Sequence, residues 1–139
     1  MQKFGAPDTV IHDYEHWCVL LRPAQVTLGS LVLVARDPVT SFSELSSKSF
    51  EELGKVTTGI EKTLKKSFSY EKLNYLMLMM VDPDVHFHVI PRYSSVRHFE
   101  NAEFQDSKWP GPPDVTQSHD TSAELNRQIL EFLRENWIL

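Results

Sequence analysis

His86 and His88 stand one residue apart in Val85-His86-Phe87-His88-Val89-Ile90-Pro91-Arg92. On an extended strand successive side chains point to opposite faces, so this spacing predicts Val85, Phe87 and Val89 on a core face and Asp84, His86 and His88 on the other. Two imidazoles on one face, with a carboxylate before them and an arginine after, suit three kinds of chemistry. In the first, Nε2 of His86 attacks a phosphorus atom and forms a covalent nucleotidyl-histidine that water later hydrolyses. Imidazole fits this role because it is neutral and nucleophilic near pH 7. His88 would then stabilise charge building on the phosphate oxygens, and Arg92 would supply a fixed positive charge. In the second, His-x-His is a zinc pair completed by Asp82, Asp84, His98 or a distant residue, although the acids are equally well explained by a turn. In the third, the chain binds a nucleotide without turnover or serves as an interaction module.

These side chains need a sheet to hold them. His16 to Arg22 reads as one strand and Leu31 to Ala35 as a second, joined through Pro23 and Gly29 so that the two pair antiparallel. After Asp37-Pro38 the period changes. Phe50, Leu53, Thr57, Ile60 and Leu64 recur at spacings of three and four, predicting a helix over Ser47 to Ser67. Gly54 and Gly59 weaken it by about 1 kcal/mol each relative to Ala, so packing must stabilise it. Leu73 to Met80 is expected to be a strand that turns through Val81-Asp82-Pro83-Asp84 into the histidine strand, forming a hairpin at the centre of the sheet with its methionines in the core. From Arg92 to Asp120 no period is visible. Within that stretch Trp109-Pro110-Gly111-Pro112-Pro113 excludes regular structure, and Trp109 is expected near the site or across a dimer interface. Thr121-Ser122-Ala123-Glu124 fits a capping box ahead of a final helix with Leu125, Ile129, Phe132, Leu133 and Trp137 on its apolar side. The whole is an α+β fold: an antiparallel sheet, a long helix after the second strand and a C-terminal helix.

A chain of 139 residues is expected to form a single domain, residues 1–139, with a core large enough to need no disulfide or structural metal. The 41% hydrophobic and 24% charged content is that of a globular protein. No apolar run approaches the roughly 20 residues that span a bilayer, and no apolar stretch follows Lys3 as in a secretion signal, so no membrane partner and a cytoplasmic location are expected. The lone Cys18, within Trp17-Cys18-Val19-Leu20-Leu21, agrees with a reducing compartment and reads as a small apolar filler. A net charge of −5 argues against polymeric nucleic acid, while a small anionic ligand can still meet a locally positive pocket.

The segment His86-Phe87-His88-Val89-Ile90-Pro91-Arg92 resembles the signature of the histidine triad (HIT) family, in which three histidines alternate with apolar residues and Pro-Arg often follows. Val26-Thr27-Leu28-Gly29-Ser30-Leu31-Val32-Leu33-Val34 resembles the family segment that leads into the second strand. The resemblance covers roughly Trp17 to Tyr93. It implies the HIT α+β fold, a homodimer, and hydrolysis or transfer at the α-phosphate of a nucleotide conjugate such as diadenosine tetraphosphate or a nucleoside phosphoramidate, without a cofactor. The nucleophile of the family falls on His86, and the third triad member on His88. The chain departs from the pattern at three positions: Asp84 takes the place of the first histidine, Ser30 that of a further buried histidine, and Arg22 lies near the usual ribose-contacting asparagine. Arg92, Asp84, Ser30 and Arg22 are thereby implied as substrate-binding positions.

Overall fold

The computed structural model describes all 139 residues. Strands β1 (Val10–Asp13), β2 (Trp17–Leu21), β3 (Leu31–Ala35), β4 (Lys72–Leu76) and β5 (His86–Arg92) form one antiparallel sheet in the order β1-β2-β3-β5-β4. Helix α1 (Ser47–Phe68) connects β3 to β4, and helix α2 (Ala123–Glu135) closes the chain. No helix is long and apolar enough to cross a membrane.

Pleating divides β2, β3 and β5 between two apolar layers. Trp17, Val19, Leu21, Leu31, Leu33, Val85 and Val89 join Val56, Ile60, Leu64, Ile129 and Leu133 of the helices in the main core. On the reverse face Cys18, Leu20, Val32 and Val34 form a smaller cluster under Met1, Phe4, Ala6 and Val10. The register Val32↔His88 and Val34↔His86 puts both histidines on that second face. Cys18 is a buried filler there, its thiol pushed up to about 11 by desolvation.

The two-strand reading of His16–Arg22 and Leu31–Ala35 holds, with Leu21 opposite Leu31. The turn between them is built on Gly29, whose φ of 89° suits glycine and whose absent Cβ would come within 2.9 Å of the Phe68 ring. Gln25 locks this turn, its amide accepting from Gly29 N and donating to the carbonyls of Arg22 and Ser30. Helix α1 ends within a residue of its expected limit, but its buried side is rotated from the expected stripe. Val56, Ile60, Thr63 and Leu64 face the core, while Phe50 is exposed and meets Phe42 and, through it, Phe87. Gly59 admits the Tyr14 hydroxyl and the Ile138 carbonyl at distances a methyl group would fill.

Four other expectations are corrected. The hairpin of β4 and β5 lies at one end of the sheet, with β4 as the edge strand, because β5 takes its second partner from β3. Strand β4 ends at Leu76, and the methionines beyond it belong to a loop from which Met77 and Met79 still pack against the main core as expected, whereas Met80 is 86% exposed. The aperiodic stretch after Arg92 contains a second hairpin, β6 (Arg97–Phe99) and β7 (Ala102–Phe104), whose strands are too short to show an alternation. Phe99 of this hairpin packs on Phe68 and Phe132. The N-cap of α2 is Ser122, one residue later than the capping-box spacing suggests, its hydroxyl accepting from Leu125 N.

Candidate functional site

The site begins with a turn. Asp84 N donates to Oδ1 of Asp82 at 3.0 Å, and the Asp84 carbonyl then lies 2.7 Å from Nδ1 of His86. A carbonyl oxygen can only accept, so this contact places the proton on Nδ1 and leaves the lone pair of neutral His86 on Nε2. The ring is held between Phe4, at 5.1 Å, and His88, at 5.2 Å and nearly perpendicular. Together these contacts leave His86 only 3% exposed.

His88 is half-buried, and its Nδ1 has no hydrogen-bond partner. Desolvation, reinforced by the Arg22 charge and by His86, pushes its pKa down to about 4, so it is neutral at pH 7. Arg22 faces the same cleft, where Nη1 and Nη2 are tied to the carbonyls of Ala24 and Val115. The cleft holds about 610 Å³ and opens between the N-terminal 3₁₀ turn, the Leu78–Pro83 loop and the two histidines. At its rim the Lys3 ammonium bridges Asp82 at 2.8 Å and Asp84 at 2.6 Å, and these two bonds raise its pKa.

The structure thus gathers His86, His88 and Arg22 around one cavity and places the other expected residues elsewhere. The Asp84 side chain is spent on Lys3, and only its carbonyl reaches His86. Ser30 is fully buried in the Gly29 turn, its hydroxyl donating to Thr27 O and accepting from Thr27 N, which leaves it no contact with the cleft. Arg92 is buried in an ion pair with Asp106, through Nε at 2.7 Å and Nη2 at 3.0 Å, and Nη1 donates to Asn74. Tyr93 N adds a bond to the same carboxylate, so Arg92 ties the end of β5 to the segment after β7. The ligands that the zinc reading would need are likewise committed: Asp82 and Asp84 to Lys3, and His98 to Glu103 on the second hairpin. The one grouping of three side chains with metal-ligand spacing, Glu15, His16 and Glu52, comes from the β1–β2 turn and α1.

Lys3, Phe4 and Val115 were not legible as site residues. Lys3 meets Asp84 across 81 positions of sequence, and no local pattern marks such a contact. Trp109 does not line the histidine cleft. It lies with Pro110–Pro113 beside β4 and Arg92, along a separate groove of about 740 Å³.

A histidine-bearing strand inside an antiparallel sheet backed by two helices is the architecture of one known family. The HIT domain matches residues 3–95, and the chain belongs to the HIT domain family. Its members are typically nucleotide hydrolases or transferases. The fold is shared with a histidine triad protein from Marinobacter aquaeolei VT8, at TM-score 0.76 and 21% identity, with 99% of this chain and 93% of that one covered. A histidine triad protein from Sinorhizobium meliloti 1021 gives TM-score 0.75 at 22% identity, covering 98% and 94%. One from Bradyrhizobium japonicum gives 0.71 at 24% identity, covering 94% and 92%. No curated protein sequence matches the chain.

Two outcomes are expected from this geometry. An unfolded histidine titrates near 6.5 and folded His88 near 4, so between these values the unfolded chain binds a proton that the folded chain does not. Stability attributable to His88 is therefore intact above pH 6.5 and declines as the pH falls towards 4, and urea midpoints of His88→Gln should fall less over that window than those of wild type. Arg92→Ala should destabilise the fold by about 3–5 kcal/mol by leaving Asp106 buried without its partner, as urea unfolding will show.

Proposed function

We propose that this protein hydrolyses the α-phosphate linkage of a nucleotide conjugate, a dinucleoside polyphosphate or a nucleoside phosphoramidate, through a covalent nucleotidyl-His86. The observation that carries this reading is the bond from His86 Nδ1–H to the Asp84 carbonyl. It presents Nε2 as a nucleophile in a cleft that also holds a neutral imidazole and a guanidinium. Attack by Nε2 on phosphorus forms the N–P bond and expels the leaving group with its electron pair. The imidazolium that develops is stabilised by the carbonyl dipole on Nδ1–H. Arg22 offsets charge on the non-bridging oxygens, and His88 bonds to them if the proton of its neutral ring sits on the nitrogen that faces them. Water then attacks phosphorus, the N–P electron pair returns to Nε2, and a proton is released. Water is a better second nucleophile here than phosphate, because a further dianion would approach Asp82 and Asp84 with Arg22 already engaged.

The test is nucleotide release from both classes of conjugate by wild type and His86→Ala. The variant should lose at least about a thousandfold in kcat/KM, and wild type stopped in alkaline denaturant, where an N–P bond survives, should carry a nucleotide mass on His86. Full activity in the variant overturns the covalent route. Nucleotide binding with no release by either protein would favour a binding role.

We further propose a cytoplasmic homodimer in which the open edge of β4 and the Trp109–Pro113 segment face a second copy. An unpaired edge strand beside a half-buried aromatic among prolines favours such pairing. Light scattering should give twice the 16.1 kDa chain mass, and Trp109→Ala should shift the population to monomer. An unchanged mass in the variant would remove Trp109 from the interface.

A further inference from the structure

We infer that this site acts only on linkages whose leaving group departs as a weakly basic oxyanion, such as a phosphate, a carboxylate or an acidic phenol, and not on those that must expel an amine or alkoxide. This inference rests on the proposed attack by His86 and narrows its substrate class to phosphoanhydrides, mixed anhydrides and esters of acidic phenols.

The reason is the supply of protons at the reacting centre. An amine or alkoxide leaves phosphorus only if an acid protonates it as the bond breaks, whereas a weakly basic oxyanion needs no proton. The ionisable side chains lining the cleft or its rim are Lys3, Arg22, Asp82, Asp84, His86 and His88. His86 is the nucleophile, and its one ring proton is held by the Asp84 carbonyl at 2.7 Å. The side chain before it on the same face is the Asp84 carboxylate, which is turned outward onto Lys3 at 2.6 Å. Asp82 closes the other side of that ammonium at 2.8 Å, so the lysine proton is gripped by two carboxylates and is a poor donor. Arg22 keeps its proton at any working pH. His88, desolvated and beside Arg22, is already neutral when a reaction at pH 7 begins and has no proton to spare as an imidazolium. The cleft therefore offers a nucleophile and charge stabilisation, but no general acid.

In atoms, Nε2 of His86 bonds to the α-phosphorus as the P–O bond to the leaving group breaks, and both electrons of that bond leave on oxygen. Nothing in the cleft need protonate that oxygen. Water then cleaves the N–P bond, its oxygen staying on the nucleotide and its proton passing to solvent.

The test is a leaving-group series on the intact wild-type chain: adenosine and guanosine 5′-aryl phosphates from 4-nitrophenol to unsubstituted phenol, with the corresponding phosphoramidates and diadenosine polyphosphates. From the nitrophenyl to the phenyl ester kcat/KM should fall by about a hundredfold or more, the diadenosine polyphosphates should turn over, and the phosphoramidates should be essentially inert. In Asp84→Asn the slope should be unchanged, since that carboxylate delivers no proton. A flat series, or phosphoramidates cleaved as fast as the nitrophenyl esters, overturns the inference while leaving the His86 reaction standing. Loss of only the basic leaving groups in Asp84→Asn would identify Asp84 as the missing acid and overturn it as well. No turnover of any member, the nitrophenyl esters included, would overturn the hydrolytic reading and this inference together.

Discussion

Because side chains alternate along β5, burying Val85 and Val89 beneath the helices commits His86 and His88 to the opposite face of the sheet. That constraint organises the rest of the molecule. A strand buried on both sides must find apolar neighbours for each, and β2 and β3 provide them by contributing to both layers. The second layer is thin. It is completed by the N-terminal residues rather than by a helix, and this is why a cleft rather than a core surrounds the imidazoles.

The site follows from the place where β5 starts. The chain enters the strand from an Asp82–Asp84 turn, and the last carbonyl of that turn fixes which nitrogen of His86 is protonated. Two residues later along the same face, His88 is set against Arg22 and partly deprived of solvent, so its surroundings rather than the imidazole itself hold it neutral. At the other end of the strand, the pair of Arg92 with Asp106 anchors the sheet to the segment leading to Trp109. The arginine that closes the signature is thus committed to the framework.

How much of this was readable in the sequence depended on the range of the contacts. Strand alternation and helix periodicity are local, and they located β2, β3, α1, β5 and α2 together with the face that carries the histidines. The rotation of α1 was not readable, because Phe50 and Val56 are both apolar and periodicity alone does not say which of them meets the sheet. The second hairpin escaped because three-residue strands carry too few alternations. The assignment of Ser30 to substrate came from its position in a familiar pattern, and that of Arg92 also from its charge at the end of the histidine strand. Their buried partners, Thr27 within one turn and Asp106 across fourteen residues, could not be seen from that pattern. Asp84 was legible as a departure, but its pairing with Lys3 joins two ends of the domain.

The seat of Phe4 against His86, with Lys3 clasped by the acidic turn, means that the cleft is partly occupied by its own polypeptide before any ligand arrives. The wall of the cavity is thus drawn from two stretches of chain 81 positions apart, so the site exists only once the N-terminal turn has docked on the acidic one.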